Sequence, residues 1–535
     1  MRILSADEMR ATDRVTSEQY GVPPIDLMRR AGAAVARFVL REFSSAASVL
    51  VLCGRGNNGG DGFIAARELI AAGRQVHVLL LGDPAAIQGD AKIAFDEMGL
   101  TPVLIGEETD LDKPEVRELF ENADLLLDAV VGTGFQPPLR GTAAALRDRV
   151  HALETPVVAV DLPSGWDADS REFAVEGAFR ADAVVTFTAP KAAHVCGNLC
   201  GSVYAPIVVA PIGSPDAAIR SELNLTWTGA SKVALDGPRQ ADSNKGIYGH
   251  VLLVGGARGK SGAPAMASLA ALRAGAGLVT TAVAESILPQ VAAITPELMT
   301  AALPEDSDGG FDLKRVDLDA LLDKITVLAI GPGLGQSPSA EKLVLTLLDR
   351  VKIPLVLDAD ALNIVAKHPD KLDGRGRTIV LTPHPGEMGR LAGISTKDVQ
   401  AKRETLAREF AAKHHVTLVL KGWRTLVAQP DGQIAVNTTG NPGMAKGGSG
   451  DILTGIVAAL LAQHPRQVTE AVNAAVYLHG LAADFAVREQ DERTLLATDT
   501  VAHLWRAYRF SPQDEAGFTW LAGLPQDTLD SLEVR

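Results

Sequence analysis

The sequence predicts an α/β protein of two domains, each built on a mostly parallel sheet with helices on both faces. Three observations predict it. Near-continuous apolar runs alternate with helical segments, the pattern of strands buried on both sides. The alternation breaks once, around residues 205–246, and then resumes. The chain has 535 residues, more than one ordinary domain holds.

In the first half, "ASVLVLCG", "QVHVLLLG", "ADLLLDAVVG", "PVVAVDLPSG" and "ADAVVTFTAP" read as buried strands, and "GFIAARELIAAG" as an intervening helix. The break is rich in Pro, Gly, Ser and Asp, which places a domain boundary near residues 214–225. A second series follows: "GHVLLVGG", "AGLVTTAV", "ITVLAIGPG", "IPLVLDAD", "RTIVLTPHP" and "VTLVLKG". "TLVAQPDGQIAVN" reads as a hairpin around Asp431-Gly432. After about residue 510 there is no strong pattern, so residues 509–535 are expected to form a C-terminal tail.

Composition narrows the class. Hydrophobic residues at 47% and charged residues at 22% suit a folded chain. A net charge of −14 argues against nucleic acid as a partner. Cys53, Cys196 and Cys200 are too few for a disulfide framework. The C-x3-C pair lacks a second ligand cluster for zinc, so small buried or half-buried residues are expected. The start "MRILSADEMRATDR" has no apolar signal core, and apolar runs break before the roughly 18 residues of a membrane span. A cytoplasmic protein without a membrane partner is expected.

Two glycine-rich loops carry the chemistry. "NPGMAKGGSGD", Asn441 to Asp451, runs into the helical "ILTGIVAALLA". Gly447, Gly448 and Gly450 admit close backbone approach, and the helix start supplies unpaired N–H groups for a phosphate or a transferring phosphoryl group. Asp451 suits a proton acceptor for an attacking hydroxyl; a helix-capping aspartate is the other reading. "LAIGPGLGQS", "VLDADALN", "LTPHPGEM" and "LKGWRT" also follow strands and set polar or glycine residues at carboxyl ends, where open α/β sheets bind ligands. For His384 alone, a loop histidine bonded to backbone is the simpler reading. "GGARGKSG" is not a phosphate-binding Walker loop, because position 254 is Val rather than Gly.

These motifs, with "SGAPAMASLAALRAGAGLV", resemble in their order the carbohydrate-kinase-like domain of ADP-dependent NAD(P)HX dehydratases over about residues 225–508. The resemblance implies a ribokinase-like three-layer fold and dehydration of the hydrated cofactors NADHX and NADPHX with ADP and Mg²⁺. It implies that Ala263, Gly333 and His384 contact the hydrated cofactor. Lys421, Gly422, Trp423, Arg424, Thr425 and Gly450 would hold the adenine nucleotide, with Asp451 as the base. Asp451 would activate the C6 hydroxyl for attack on the terminal phosphoryl of ADP, and the ring nitrogen would then expel the ester.

"GRGNNGGDG", Gly54 to Gly62, lies between a strand and a helix, as a phosphate-binding turn or simply a sharp βα turn would. "LLDAVVGTGFQPPLRG" and "AVDLPSGWDAD" add oxygen-rich strand ends. Asn58, Asp128 and Ser164 suit a hard monovalent cation, and Asp161 suits a proton carrier or a turn-stabilising residue. With "LMRRAG", these motifs resemble the NAD(P)HX epimerase domain over about residues 1–213, which implies a Rossmann-like three-layer fold and bound K⁺. The resemblance places substrate contacts at Asn57, Asn58, Gly59, Gly60 and Asp61, at Gly132, Thr133, Gly134, Phe135, Gln136, Pro137 and Pro138, and at Asp161. It places K⁺ on Asn58, Asp128 and Ser164. Arg29 and Arg30 depart from the family's common "LMENAG".

The function expected is recovery of both epimers of hydrated NAD(P)H by one homo-oligomeric chain. A small-molecule kinase fused to a cofactor-binding domain is the alternative, as is a non-catalytic N-terminal module.

Overall fold

Aliphatic and β-branched residues fill the central strands with no polar face, so both faces of each sheet are covered by helices. The computed structural model describes residues 1–526. The chain divides into two units, Met1–Leu225 with the segment from Ser511, and Thr226–Phe510.

In the first unit the strands are β1 (Ser48–Cys53), β2 (Gln75–Leu81), β3 (Val103–Ile105), β4 (Leu125–Ala129), β5 (Val157–Val160), β6 (Ala183–Phe187) and β7 (Ile207–Ala210). They pair in parallel in the order 3-2-1-4-5-6-7. The order reverses between β1 and β4, which opens a crevice at their carboxyl ends. The glycine loop 54–62 leaves β1 there, and Asp128 lies on β4.

The second unit contains β8 (Leu225–Trp227), β9 (His250–Val254), β10 (Leu278–Ala284), β11 (Met299–Leu303), β12 (Val327–Ile330), β13 (Leu355–Leu357), β14 (Ile379–Leu381), β15 (Thr417–Leu420), β16 (Leu426–Ala428) and β17 (Ile434–Val436). Their order is 11-10-9-12-13-14-15-16-17-8, parallel from β11 to β15. The reversal lies between β9 and β12. The expected hairpin is β16–β17, closed by the Gln429–Gln433 turn.

Two expected boundaries need correction. Residues 214–225 belong with the first unit rather than a linker after residue 213: the Ser221 hydroxyl donates to the Ile3 carbonyl (2.9 Å), and the Glu222 N–H to Glu8 (2.6 Å). The stretch after residue 510 is not a patternless tail, for β18 (Thr519–Ala522) joins β7 antiparallel in the first sheet. Phe518 and Trp520 are buried, and Arg41 lies over both rings while its guanidinium bonds Asp514 at 2.8 Å. The part of the expected tail from residue 527 onward lies outside the described residues. Strands β3, β7, β8, β11 and β18 were not among the expected runs. Most hold three or four residues, and β11, at the sheet edge, leaves all but its last residue at least partly exposed.

Cys53 and Cys200 are buried and Cys196 half-buried, as expected. Among the described residues no helix is long and apolar enough to cross a membrane.

Candidate active sites

At the first crevice the chain turns sharply from β1 into the helix Asn57–Ala71. A Cβ on Gly59 would sit 1.9 Å from the Gly54 carbonyl oxygen, so backbone meets backbone inside the turn. Asn57, Asn58 and Asp61 line a cavity of about 710 Å³, together with Gly132, Thr133, Gly134, Phe135 and Asp161. Gly59 and Gly60 do not line it; they pack against Gly54 and Met28. Gln136, Pro137 and Pro138 do not line it either.

The three expected cation ligands cluster beside this cavity. Asp128 is fully buried and accepts the Ser164 hydroxyl (2.6 Å) and the Ser164 N–H (2.7 Å). Burial pushes its carboxyl up to about 6 despite these bonds, and no basic side chain offsets it. The Nδ2 of buried Asn58 has no hydrogen-bond partner, and its Oδ1 lies against Gly132. A buried carboxylate without a cationic partner, among oxygen donors, fits a monovalent cation.

Asp161 has φ 66° and is bound from three sides. Lys191 Nζ donates to its Oδ1 at 2.7 Å and to Thr186 Oγ1 at 2.8 Å, and the Thr186 hydroxyl donates to the same carboxylate oxygen at 2.7 Å. Lys191 N–H donates to His194 Nδ1 (3.0 Å), which leaves Nε2–H to donate to the Asp161 carbonyl (2.7 Å). Burial favours the neutral acid at Asp161, yet the Lys191 ammonium and the Thr186 hydroxyl hold it below the usual carboxylate range. Burial and the nearby ammonium lower His194 to about 4, so its ring is neutral. Asp61, by contrast, is raised well above that range by burial and by the charges of Asp161 and Asp13. Lys191 and Asp13 line the same cavity, and the sequence reading missed both.

The two arginines of "LMRRAG" leave this site intact. Arg29 pairs with Asp26 at 2.8 Å and with Glu97, and Arg30 donates to the Ile212 carbonyl at 3.1 Å. Met28 and Ala31 of the same helix face the cavity instead.

In the second unit, Gly448 (φ 95°) caps the helix Ser449–Gln463, with Asp451 in its first turn. Lys421, Gly422, Trp423, Arg424, Thr425 and Gly450 line one cavity of about 390 Å³. The guanidinium of Arg424 lies 4.5 Å from the Trp423 ring centroid.

Lys421 joins that cavity to a cluster of carboxylates. Its Nζ lies 3.2 Å from Asp358 Oδ1, 3.9 Å from Glu387 Oε2 and 3.2 Å from where a Cβ on Gly450 would sit. Asp358 is buried and also accepts the hydroxyls of Thr382 (2.8 Å) and Thr454 (2.7 Å). Despite desolvation, Asp358 and Glu387 hold the Lys421 ammonium above its usual range. Burial, reinforced by Asp358 and opposed by Lys421, raises Asp451 to about 7. Such a carboxyl exchanges a proton near neutrality.

His384 caps the helix Pro385–Ala392: its Nδ1 accepts from Gly386 N–H (2.9 Å) and Glu387 N–H (3.3 Å). The backbone-bonded reading therefore holds for Nδ1, while Nε2 lies 3.5 Å from Glu387 on a half-exposed ring. Ala263 and Gly333 meet at the β9/β12 crevice, where a Cβ on Gly333 would lie 3.2 Å from the Ala263 Cβ. Asp360 ties this loop to the cluster by accepting the Gly335 N–H at 2.8 Å. Ala263, Gly333, His384 and Asp451 lie outside the lining of the 390 Å³ cavity.

No group of three or more His, Cys, Asp or Glu among the described residues is arranged to hold a metal. Mg²⁺ bound with nucleotide phosphates needs only one or two protein carboxylates, so such a cluster is not required for it.

The family described as NAD(P)H-hydrate dehydratase matches residues 251–505, and the family described as YjeF-related protein N-terminus matches residues 24–193. The bifunctional NAD(P)H-hydrate repair enzyme Nnr of Moorella thermoacetica is 40% identical over 98% of this chain and 100% of its own length. That of Escherichia coli is 35% identical over 94% of this chain and 93% of its own. The ADP/ATP-dependent NAD(P)H-hydrate dehydratase of Bacillus subtilis, solved after co-crystallization with ATP/Mg²⁺, is 34% identical. The match covers 54% of this chain and 99% of that one, with a TM-score of 0.47.

Proposed function

The chain belongs to the family of bifunctional NAD(P)H-hydrate repair enzymes, and on that premise we propose how its two sites divide the work. The first unit is the epimerase, interconverting the R and S forms of hydrated NAD(P)H. The second is the ADP-dependent dehydratase, returning the S form to NAD(P)H with release of AMP and phosphate.

One observation carries the second assignment: Asp451 sits in the first turn of the helix behind the glycine loop, with its carboxyl raised to about 7. Gly450, in the same turn, lines the cavity that holds Lys421 to Thr425. The adenine nucleotide occupies this cavity, with Lys421 and the helix N-terminus at its phosphates. Ala263, Gly333 and His384 hold the hydrated ring. Asp451 takes the proton of the C6 hydroxyl as that oxygen attacks the terminal phosphoryl group. Mg²⁺, held chiefly by the nucleotide phosphates, would supply charge neutralisation to the transferring phosphoryl group. Trp423 and Arg424 form the wall beside the base.

In the first unit, Asn58, Asp128 and Ser164 would hold K⁺, which offsets the buried Asp128 charge and fixes the loops that carry Asn57 and Gly132. Asp161 is the anchor of Lys191 at the reacting ring. The working form is read as a cytoplasmic homo-oligomer, placed where the reduced cofactors are used.

The test is product identity. S-NADHX, ADP and Mg²⁺ are expected to yield NADH, AMP and phosphate in equal amounts. Accumulation of a stable phosphate ester would instead identify a kinase.

A further inference from the structure

The first cavity contains a carboxyl group that no assigned role uses. Asp13 lies on the helix Ala6–Tyr20, fixed at its start by a capping box between Ser5 and Glu8. The side chain lines the 710 Å³ cavity together with Asp61, Asp161 and Lys191. Its Oδ1 is buried and has no hydrogen-bond partner. Asp161 differs: its Oδ1 accepts from both the Lys191 ammonium and the Thr186 hydroxyl, and its carbonyl from His194.

We propose that Asp13 is a proton carrier of the epimerisation, with Asp161 positioning Lys191 rather than moving the proton. The proposal rests on the epimerase reading of this unit. A carboxylate ion-paired with a buried ammonium is held in its ionised form and resists taking up a proton. An unpaired carboxyl on the cavity wall is free to hold a proton and release it. Burial, partly offset by Lys191 and reinforced by Asp161, raises Asp13 to about 6, which keeps both protonation states accessible near neutrality.

The step balances without a co-reactant. As the C6–O bond breaks, its electron pair leaves with the oxygen, and the Asp13 proton goes to that oxygen to make water. The ring-nitrogen lone pair fills the deficit at C6. Water then adds to the opposite face, re-forming the C–O bond, and gives up one proton to the Asp13 carboxylate, which restores the carboxyl for the next turnover. The charged groups facing Asp13 in this cavity are Asp61, Asp161 and Lys191, with Arg10, Arg55 and Asp90 elsewhere on the wall.

The test uses the full chain without ADP, so that only epimer exchange occurs, starting from S-enriched NADHX followed by chromatography. Wild-type exchange no faster than the spontaneous rate would defeat the epimerase reading itself. Given wild-type exchange, Asp13→Asn is expected to lower it at least about 100-fold. Added formate is expected to restore part of the activity of Asp13→Ala, because the cavity can admit a small carboxylate. Exchange within about threefold of wild type in Asp13→Asn, or a loss in Asp13→Ala that formate leaves untouched, overturns the assignment.

Discussion

Both units place a lysine against an aspartate at the carboxyl end of a parallel sheet, and they differ in what surrounds the pair. In the first unit Lys191 and Asp161 are both buried, with Thr186 and His194 completing the shell. The remaining carboxyls, Asp13 and Asp61, face a cavity roomy enough for a ring. In the second unit Asp358 is buried but Lys421 is partly exposed, and it borders a glycine-lined helix start. A closed pair organises proton carriers around a ring. An open pair beside helix N–H groups serves a phosphoryl group. On the proposed reading, the same sheet geometry supports two chemistries, and the exposure of one ammonium group distinguishes them.

The largest test of this contrast is Asp451→Asn. It is expected to lower NADH formation from S-NADHX about 1000-fold while epimer exchange proceeds at the wild-type rate, both read by chromatography. A matching loss in both activities would break the division of labour.

Next come the lysines. Removing either leaves a buried carboxylate without its partner, at about 3 kcal/mol. Lys191→Met is expected to lower the unfolding midpoint and abolish exchange while sparing dehydration of the S epimer. Lys421→Met is expected to spare exchange and raise the KM for ADP. If the two variants behave alike, the exposure difference has no functional meaning.

Gly448→Ala is a smaller perturbation, because it adds a Cβ at φ 95° and 2.7 Å from the Met266 side chain. It is expected to cost about 2 kcal/mol, seen in denaturant unfolding and in weaker ADP binding.

The smallest effect is one of pH. Folded Asp451 keeps its proton up to about 7, against 3.8 for a free aspartate. Between those values the folded chain binds more protons than the unfolded one, so stability falls as pH rises through this window. Asp451→Asn removes that decline. Its unfolding midpoint is expected to exceed wild type at pH 8 and to match it more closely at pH 5. Dehydration runs the other way, since a base must be ionised, and its rate is expected to fall below pH 7.

Much of this arrangement was legible in the sequence because its signals are local. Apolar runs, glycine loops and strand-end carboxylates sit on contiguous residues, and they marked Asn58, Asp128, Asp161, Lys421 and Asp451. Asp13 and Lys191 were not legible, because burial and partnership are set by distant segments. Asp13 falls in a charge-rich helix that reads as solvated, and Lys191 in "APKAA" looks like a surface lysine. The strand of the final segment was missed for a related reason. "FTWLAG" is short, and its role as an edge strand depends on Val208 and Val209, over 300 residues earlier in the chain.

One chain is expected to recover the whole hydrated pool. The most direct measurement is the rise in near-ultraviolet absorbance of reduced nicotinamide when the enzyme, Mg²⁺ and excess ADP meet a mixture of R- and S-NADHX. Conversion of the entire mixture, faster than spontaneous epimerisation permits, is the result expected. A plateau at the initial S fraction, followed only by the spontaneous rate, would contradict it.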